Sequence, residues 1–206
     1  MKFTKDSLGK DIIVDKNLNN FQVIMEWEKP YMEMLIKKLT PRGKVLEIGF
    51  GLGYSANEIQ KYNIESHTII EKDKVVLKRL KKWAIKQKNK VNIIEGYWQD
   101  VLFKLGKFDS IFYDDSPINI TDNNKILNIR HLILPVIAHQ HVNVNAKFAA
   151  YSIGNIDEIR NNIKVKNCEI YLKKLNMNIP KQHCRFIRGN MVNILCIKFL
   201  KGSIIN

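Results

Sequence analysis

The chain has 206 residues, a formal net charge of +14 from 34 basic and 20 acidic residues, and 45% hydrophobic and 26% charged content. The two fractions are ordinary for a soluble globular protein, and the length suits one domain with a sizeable core. No uninterrupted apolar run is long enough to span a bilayer, and the start, Met1-Lys2-Phe3-Thr4-Lys5-Asp6, has no apolar signal core, so a cytoplasmic protein without a membrane partner is expected.

Residues 1–20 read as a polar, irregular arm. Residues 21–39 carry Val23, Ile24, Trp27, Tyr31, Met34 and Leu35 at helical spacing, which predicts a helix that Pro30 kinks. Together, 1–40 is expected to cover a site on a core spanning 41–206. Strands are predicted at 44–48, 67–70, 91–94, 108–113, 147–151, 168–172 and 191–200. Helices are predicted at 54–62, 73–86, 124–138 and 157–161. This alternation predicts an α/β, Rossmann-like fold: a mostly parallel seven-stranded sheet flanked by helices, with the last strand antiparallel.

The first strand runs into Glu47-Ile48-Gly49-Phe50-Gly51-Leu52-Gly53, and the second ends on Glu71, 24 residues after Glu47. That offset is near the roughly 20 residues at which a second-strand acid meets a ribose diol in dinucleotide folds. Glycines at 49, 51 and 53 allow backbone to approach a ligand. A pyrophosphate site would carry Gly-x-Gly-x-x-Gly and would repel Glu47, whereas a sulfonium cofactor would attract that carboxylate. The pattern therefore resembles motif I of class I S-adenosylmethionine-dependent methyltransferases. Gly96-Tyr97-Trp98 follows the third strand, where an adenine would lie, and Trp98 offers either a stacking face or a core tryptophan. The fourth strand ends on Asp114, beside the cofactor's reactive end or as a turn cap before Ser116-Pro117.

Other groups carry less. Cys168, Cys184 and Cys196 are odd in number and lack ligand spacing, so they read as reduced core thiols. His139 and His141, two residues apart, would lie on different helix faces, and no metal site is expected. Glu28 taken alone reads as a solvated helix glutamate. The lysines at 78–82 read as a solvated face. The net charge permits nucleic-acid contact, although a chain rich in Lys, Asn and Ile also arises from AT-rich coding.

The segments Met25-Glu26-Trp27-Glu28-Lys29-Pro30-Tyr31-Met32, 45–51, Ile69-Ile70-Glu71, Gly96-Tyr97-Trp98-Gln99-Asp100 and Phe108-Asp109-Ser110-Ile111-Phe112-Tyr113-Asp114 are similar, in order and spacing, to guanidinoacetate N-methyltransferases. Fungal arginine δ-methyltransferases share much of the pattern, and Cys184-Arg185-Phe186 resembles a segment near the family's C-terminus. The resemblance implies an S-adenosylmethionine-dependent enzyme in which Glu28 and Asp114 grip a small-molecule guanidinium. It also implies cofactor contacts by Met32, Gly49, Glu71 and Trp98; the motif reading adds Glu47, Gly51, Gly53, Gly96 and Tyr97. Ser116 stands where the family has an aromatic residue, and 151–155 differ from its substrate-carboxylate segment, so the substrate tail stays open. The competing readings are a nucleic-acid methyltransferase, for which Asp114-Asp115-Ser116-Pro117 lacks the second proline and the aromatic, and a non-catalytic cofactor-binding relative. A monomer or a homodimer is compatible with the chain.

Overall fold

In the computed structural model, which describes residues 1–115, 138–180 and 190–205, the N-terminal segment departs furthest from these expectations. It is a three-stranded antiparallel sheet of β1 (Lys2–Lys5), β2 (Asp11–Asp15) and β3 (Phe21–Met25), in that order, and not a loose arm. Ile12, Ile13 and Val14 are three consecutive β-branched residues, all buried, and they carry the sheet. The polar residues between the strands make the turns. The Asp6 carboxylate accepts the Leu8 and Lys10 N–H groups at 2.8 and 2.9 Å around Gly9. Asn19 and Asn20 both take positive φ, 51° and 55°, before β3.

The kinked helix expected at 21–39 is therefore β3, a 3₁₀ turn (Glu26–Glu28) and a straight-starting α1 (Lys29–Leu39). Pro30 sits in the first turn of α1, where its missing N–H costs nothing, and does not kink the helix. Tyr31, Met32, Leu35, Ile36 and Leu39 form the buried face of α1.

The remaining elements are β4 (Gly43–Ile48), α2 (Tyr54–Ile59), β5 (Ile64–Glu71), α3 (Lys74–Ala84), β6 (Val91–Glu95), α4 (Trp98–Val101), β7 (Phe108–Tyr113), β8 (Val142–Ser152), α5 (Ile156–Asn162), β9 (Val165–Asn176) and β10 (Met191–Ile205). The Asp73 carboxylate caps α3 by accepting the Val75 and Val76 N–H groups. The seven-stranded sheet has the order β6-β5-β4-β7-β8-β10-β9. Neighbouring strands from β6 to β8 pair in parallel, and β10 runs antiparallel to both β8 and β9, as expected. β8, β9 and β10 extend beyond the expected runs because their outer residues alternate with solvent and carry little apolar signal.

Apolar layers cover both faces of the sheet, one built on Val45, Phe112 and α1, the other on Leu46, Ile111 and Phe148. The parallel order brings the carboxyl ends of β4, β5, β6 and β7 to one edge, carrying Gly49, Glu71, Gly96 and Asp114. The expected helix at 124–138 lies outside the described residues except for Ala138, as do Ser116, Pro117 and Cys184-Arg185-Phe186. Cys168 and Cys196 are free thiols, and burial pushes the Cys196 thiol up to about 11. Among the described residues, no helix is long and apolar enough to cross a membrane.

Candidate active site

The turn from β4 to α2 depends on glycine. Gly49, Gly51 and Gly53 have φ of 89°, 54° and 79°, which other residues adopt only at a cost. The sequence expectation was close approach to a ligand; the close neighbours are also protein groups. A Cβ at Gly49 would lie 2.1 Å from the Asp114 carbonyl oxygen, and one at Gly53 would lie 2.8 Å from the Phe50 ring. Gly49 thus lets β4 and the end of β7 meet, and the Asp114 N–H donates to the Ile48 carbonyl at 2.9 Å. Gly51 faces the Ile24 side chain of β3.

Glu47 does not stand at this edge. It is 0% exposed, on the same face of β4 as Val45, beneath α2. The Ser55 hydroxyl donates to Oε1, and His67 Nε2 lies 2.8 Å from Oε2. Gln60 Nε2 is 3.3 Å from His67 Nδ1. Strand alternation turns this carboxylate inward, and its observed partners are the chain's own groups. Met32 is likewise 0% exposed, packed in the α1 core with Leu35 and Ile36. Both residues, expected from the sequence as cofactor contacts, are thus buried core positions in the structure.

Glu71 is 8% exposed at the end of β5. Oε1 accepts the Lys72 and Asp73 N–H groups, both at 2.8 Å, and Oε2 accepts the Phe50 N–H at 3.1 Å. It therefore ties the glycine turn to the start of α3. A carboxylate has about four acceptor positions, so among the described residues one on Oε2 is left. Burial raises its pKa, against those three hydrogen bonds and with help from the nearby Asp115 charge. Gly96 (φ 147°) donates its N–H to the Glu71 carbonyl at 3.0 Å. Tyr97 is exposed, and Trp98 is half-buried and edge-on to Tyr113 at 5.8 Å.

Glu28, at the junction of the 3₁₀ turn and α1, is buried, contrary to its solitary sequence reading. Its Oε1 accepts the Met25 N–H at 3.1 Å. Its carboxyl is held well above the usual range, first by burial and then by the charge of Asp114, with the Met25 hydrogen bond opposing. The structure thus brings together the two acids from the two segments singled out in the sequence. Beside them Tyr31 is fully buried. Its hydroxyl donates to the Asn193 carbonyl at 2.5 Å and accepts the Ser152 N–H at 3.0 Å. Burial and both carboxylates raise its pKa. Tyr31 lies within the quoted Trp-Glu-x-Pro-Tyr-Met pattern but was not singled out. Asp115 and Lys72 were also missed, although each directly follows an acid that was read.

The fold is shared widely. TrmN from Thermus thermophilus superposes with a TM-score of 0.63 at 10% identity, covering 86% of this chain and 50% of that one. Spermidine synthase from Thermotoga maritima gives 0.60 at 17%, covering 96% and 72%. The O-methyltransferase TomG from Streptomyces achromogenes gives 0.57 at 11%, covering 90% and 85%. With the strand order, these define a Rossmann-like methyltransferase fold.

The family follows from sequence: the model for guanidinoacetate N-methyltransferase matches residues 13–132, and the chain belongs to that family. It is also similar to protein arginine N-methyltransferase 2 of Candida glabrata, 39% identical over 124 residues, and of Saccharomyces cerevisiae, 32% over 143. Those matches cover 55% and 64% of this chain but only 29% and 34% of the relatives, so the chain spans about a third of their length.

Proposed function

We propose that this chain transfers a methyl group from S-adenosylmethionine to a guanidino nitrogen gripped by Glu28 and Asp114. The observation that carries this reading is the convergence of two carboxylates from segments far apart in sequence, with Asp114 acting on a buried Glu28. No cation among the described residues contributes to the state of Glu28. A planar guanidinium, which stays charged far above neutral pH, suits such a pair through charge-assisted hydrogen bonds.

The donor set fits the cofactor. Glu71 keeps an acceptor position for a ribose hydroxyl, and Trp98, Tyr97 and Gly96 surround the neighbouring strand end. When bound, the cofactor supplies a methyl on a positively charged sulfur, which keeps the bonding electron pair as the methyl leaves. Glu28 and Asp114 fix the guanidinium fork so that one nitrogen faces that methyl. As the N–C bond forms, that nitrogen becomes more acidic and loses its N–H proton to Asp114. Tyr31, which feels both carboxylates, is itself packed edge to face on Tyr151 at 5.2 Å.

Guanidinoacetate, free arginine and an arginine side chain in a peptide all present the same fork. The family name supports the first and the names of the fungal relatives support arginine. Incubation of the chain and S-adenosylmethionine with each of the three, followed by mass spectrometry, tests the reading. A product heavier by one methyl from at least one of them is expected. Cofactor binding with no methyl gain on any guanidino compound would contradict it.

A further inference from the structure

The carboxylate of Asp115 does not face the Glu28–Asp114 pair's task; it ties together three strand ends. Its Oδ2 accepts the Trp98 indole N–H at 2.9 Å, and its Oδ1 lies 3.2 Å from Lys72 Nζ. Both side chains of the ion pair are largely buried, 20% exposed for Lys72 and 13% for Asp115. Lys72 follows Glu71 at the end of β5 and lies 5.4 Å from the Tyr97 ring centre. Trp98 opens α4 after β6, with its ring edge-on to Tyr113, the last residue of β7. The Asp115 backbone is itself pressed on the glycine turn, 3.6 Å from where a Gly49 Cβ would be. One carboxylate thus reaches the ends of β5 and β6 from the end of β7, around Glu71.

We propose that Asp115 is a positioning residue for cofactor binding: it fixes the Trp98 indole plane and the Lys72 ammonium so that the nucleoside enters a preformed slot. This rests on the functional reading above. Without the carboxylate the indole loses its acceptor and is free to rotate away from Tyr113. Lys72 loses one of the charges beside it near Tyr97. The cofactor must then order both side chains on binding, which weakens affinity and leaves the proton transfer at Asp114 untouched.

A double-mutant cycle reads this coupling. S-adenosylhomocysteine binding is measured by calorimetry for the wild type, Asp115→Ala, Trp98→Phe and the double variant. Asp115→Ala is expected to weaken binding about tenfold, the scale of one hydrogen bond to a charged group. In the Trp98→Phe background, which keeps the ring but removes the N–H, the same change should cost about threefold or less. Asp115→Asn, which keeps an acceptor for the indole, should fall between wild type and alanine and serves if the alanine variant fails to fold. The turnover rate at saturating cofactor should stay within about twofold of wild type, so that the loss appears in the cofactor KM. Equal penalties in both backgrounds, or no penalty, would overturn the inference while leaving the methyltransferase reading intact. A wild-type chain that binds no cofactor at all would overturn both.

Discussion

Glu28 is an acid that the fold holds at a cost. Burial and the neighbouring Asp114 favour its neutral form, whereas the unfolded chain ionises it at the ordinary value for glutamate. A group with a raised folded pKa contributes stability that is present below its unfolded value and is lost as pH rises through the folded one. Glu28→Gln should therefore raise Tm at neutral pH, by about 2–4 °C for each 1 kcal/mol of relieved burial in a chain of this size, while methyl transfer collapses. Thermal unfolding at pH 5 and pH 8 checks it, with the larger gain expected at pH 8. Bound guanidinium favours the ionised form, so substrate binding releases a proton. The apparent substrate affinity should rise with pH until Glu28 is ionised, and the rise should vanish in Glu28→Gln. Some of this was legible in the residues: the two acids stand in recognisable segments. The burial of Glu47 and Met32 was not legible, because motif position says nothing of which way a strand or helix turns a side chain. Asp115 escaped notice because its partners, Lys72 and Trp98, are joined to it only by the sheet order.

Among elements, the glycine turn and the N-terminal sheet decide the geometry. Gly49→Ala combines a φ of 89° with a Cβ 2.1 Å from the Asp114 carbonyl, so Asp114 itself must move. A loss above about 2 kcal/mol in denaturant unfolding is expected, together with loss of activity. Gly9→Ala is the control: its φ of 74° costs about 1–2 kcal/mol, but nothing lies within 4 Å, and activity should be retained. Equal activity loss in both variants would show that strain alone, and not the displaced acid, is responsible. β4 and β7 were readable because apolar runs bounded by glycine or acids mark buried parallel strands. β3 was not, because Val23, Ile24 and Trp27 fit a helical stripe as well as a strand. The pairing that decides between them, Ile13 with Ile24 across β2 and β3, is non-local. The polar turns around Gly9 and Asn19 likewise read as an arm until the buried Ile12-Ile13-Val14 run supplies their sheet.

For the whole molecule, strand alternation fixed the class of fold, and the order β6-β5-β4-β7-β8-β10-β9 puts Glu71 and Asp114, from the ends of β5 and β7, on one edge. Net charge is the property least absorbed by the site. The exposed lysines of α3 line an open groove of about 280 Å³ with Glu95. That surface should give weak retention on DNA or RNA that is lost between low and moderate salt, with no methyl incorporated. Salt-resistant binding with methylated nucleic acid would favour the nucleic-acid reading instead. The central claim is that Asp114 and Glu28 together present a guanidino nitrogen to the methyl donor. It is tested most directly by single-turnover methyl transfer in Asp114→Asn against the wild type, with cofactor and the best guanidino substrate saturating. The predicted result is a rate lower by at least about 100-fold, the lower end for loss of a general base, with cofactor affinity within about twofold of wild type. An unchanged rate in Asp114→Asn would contradict the account.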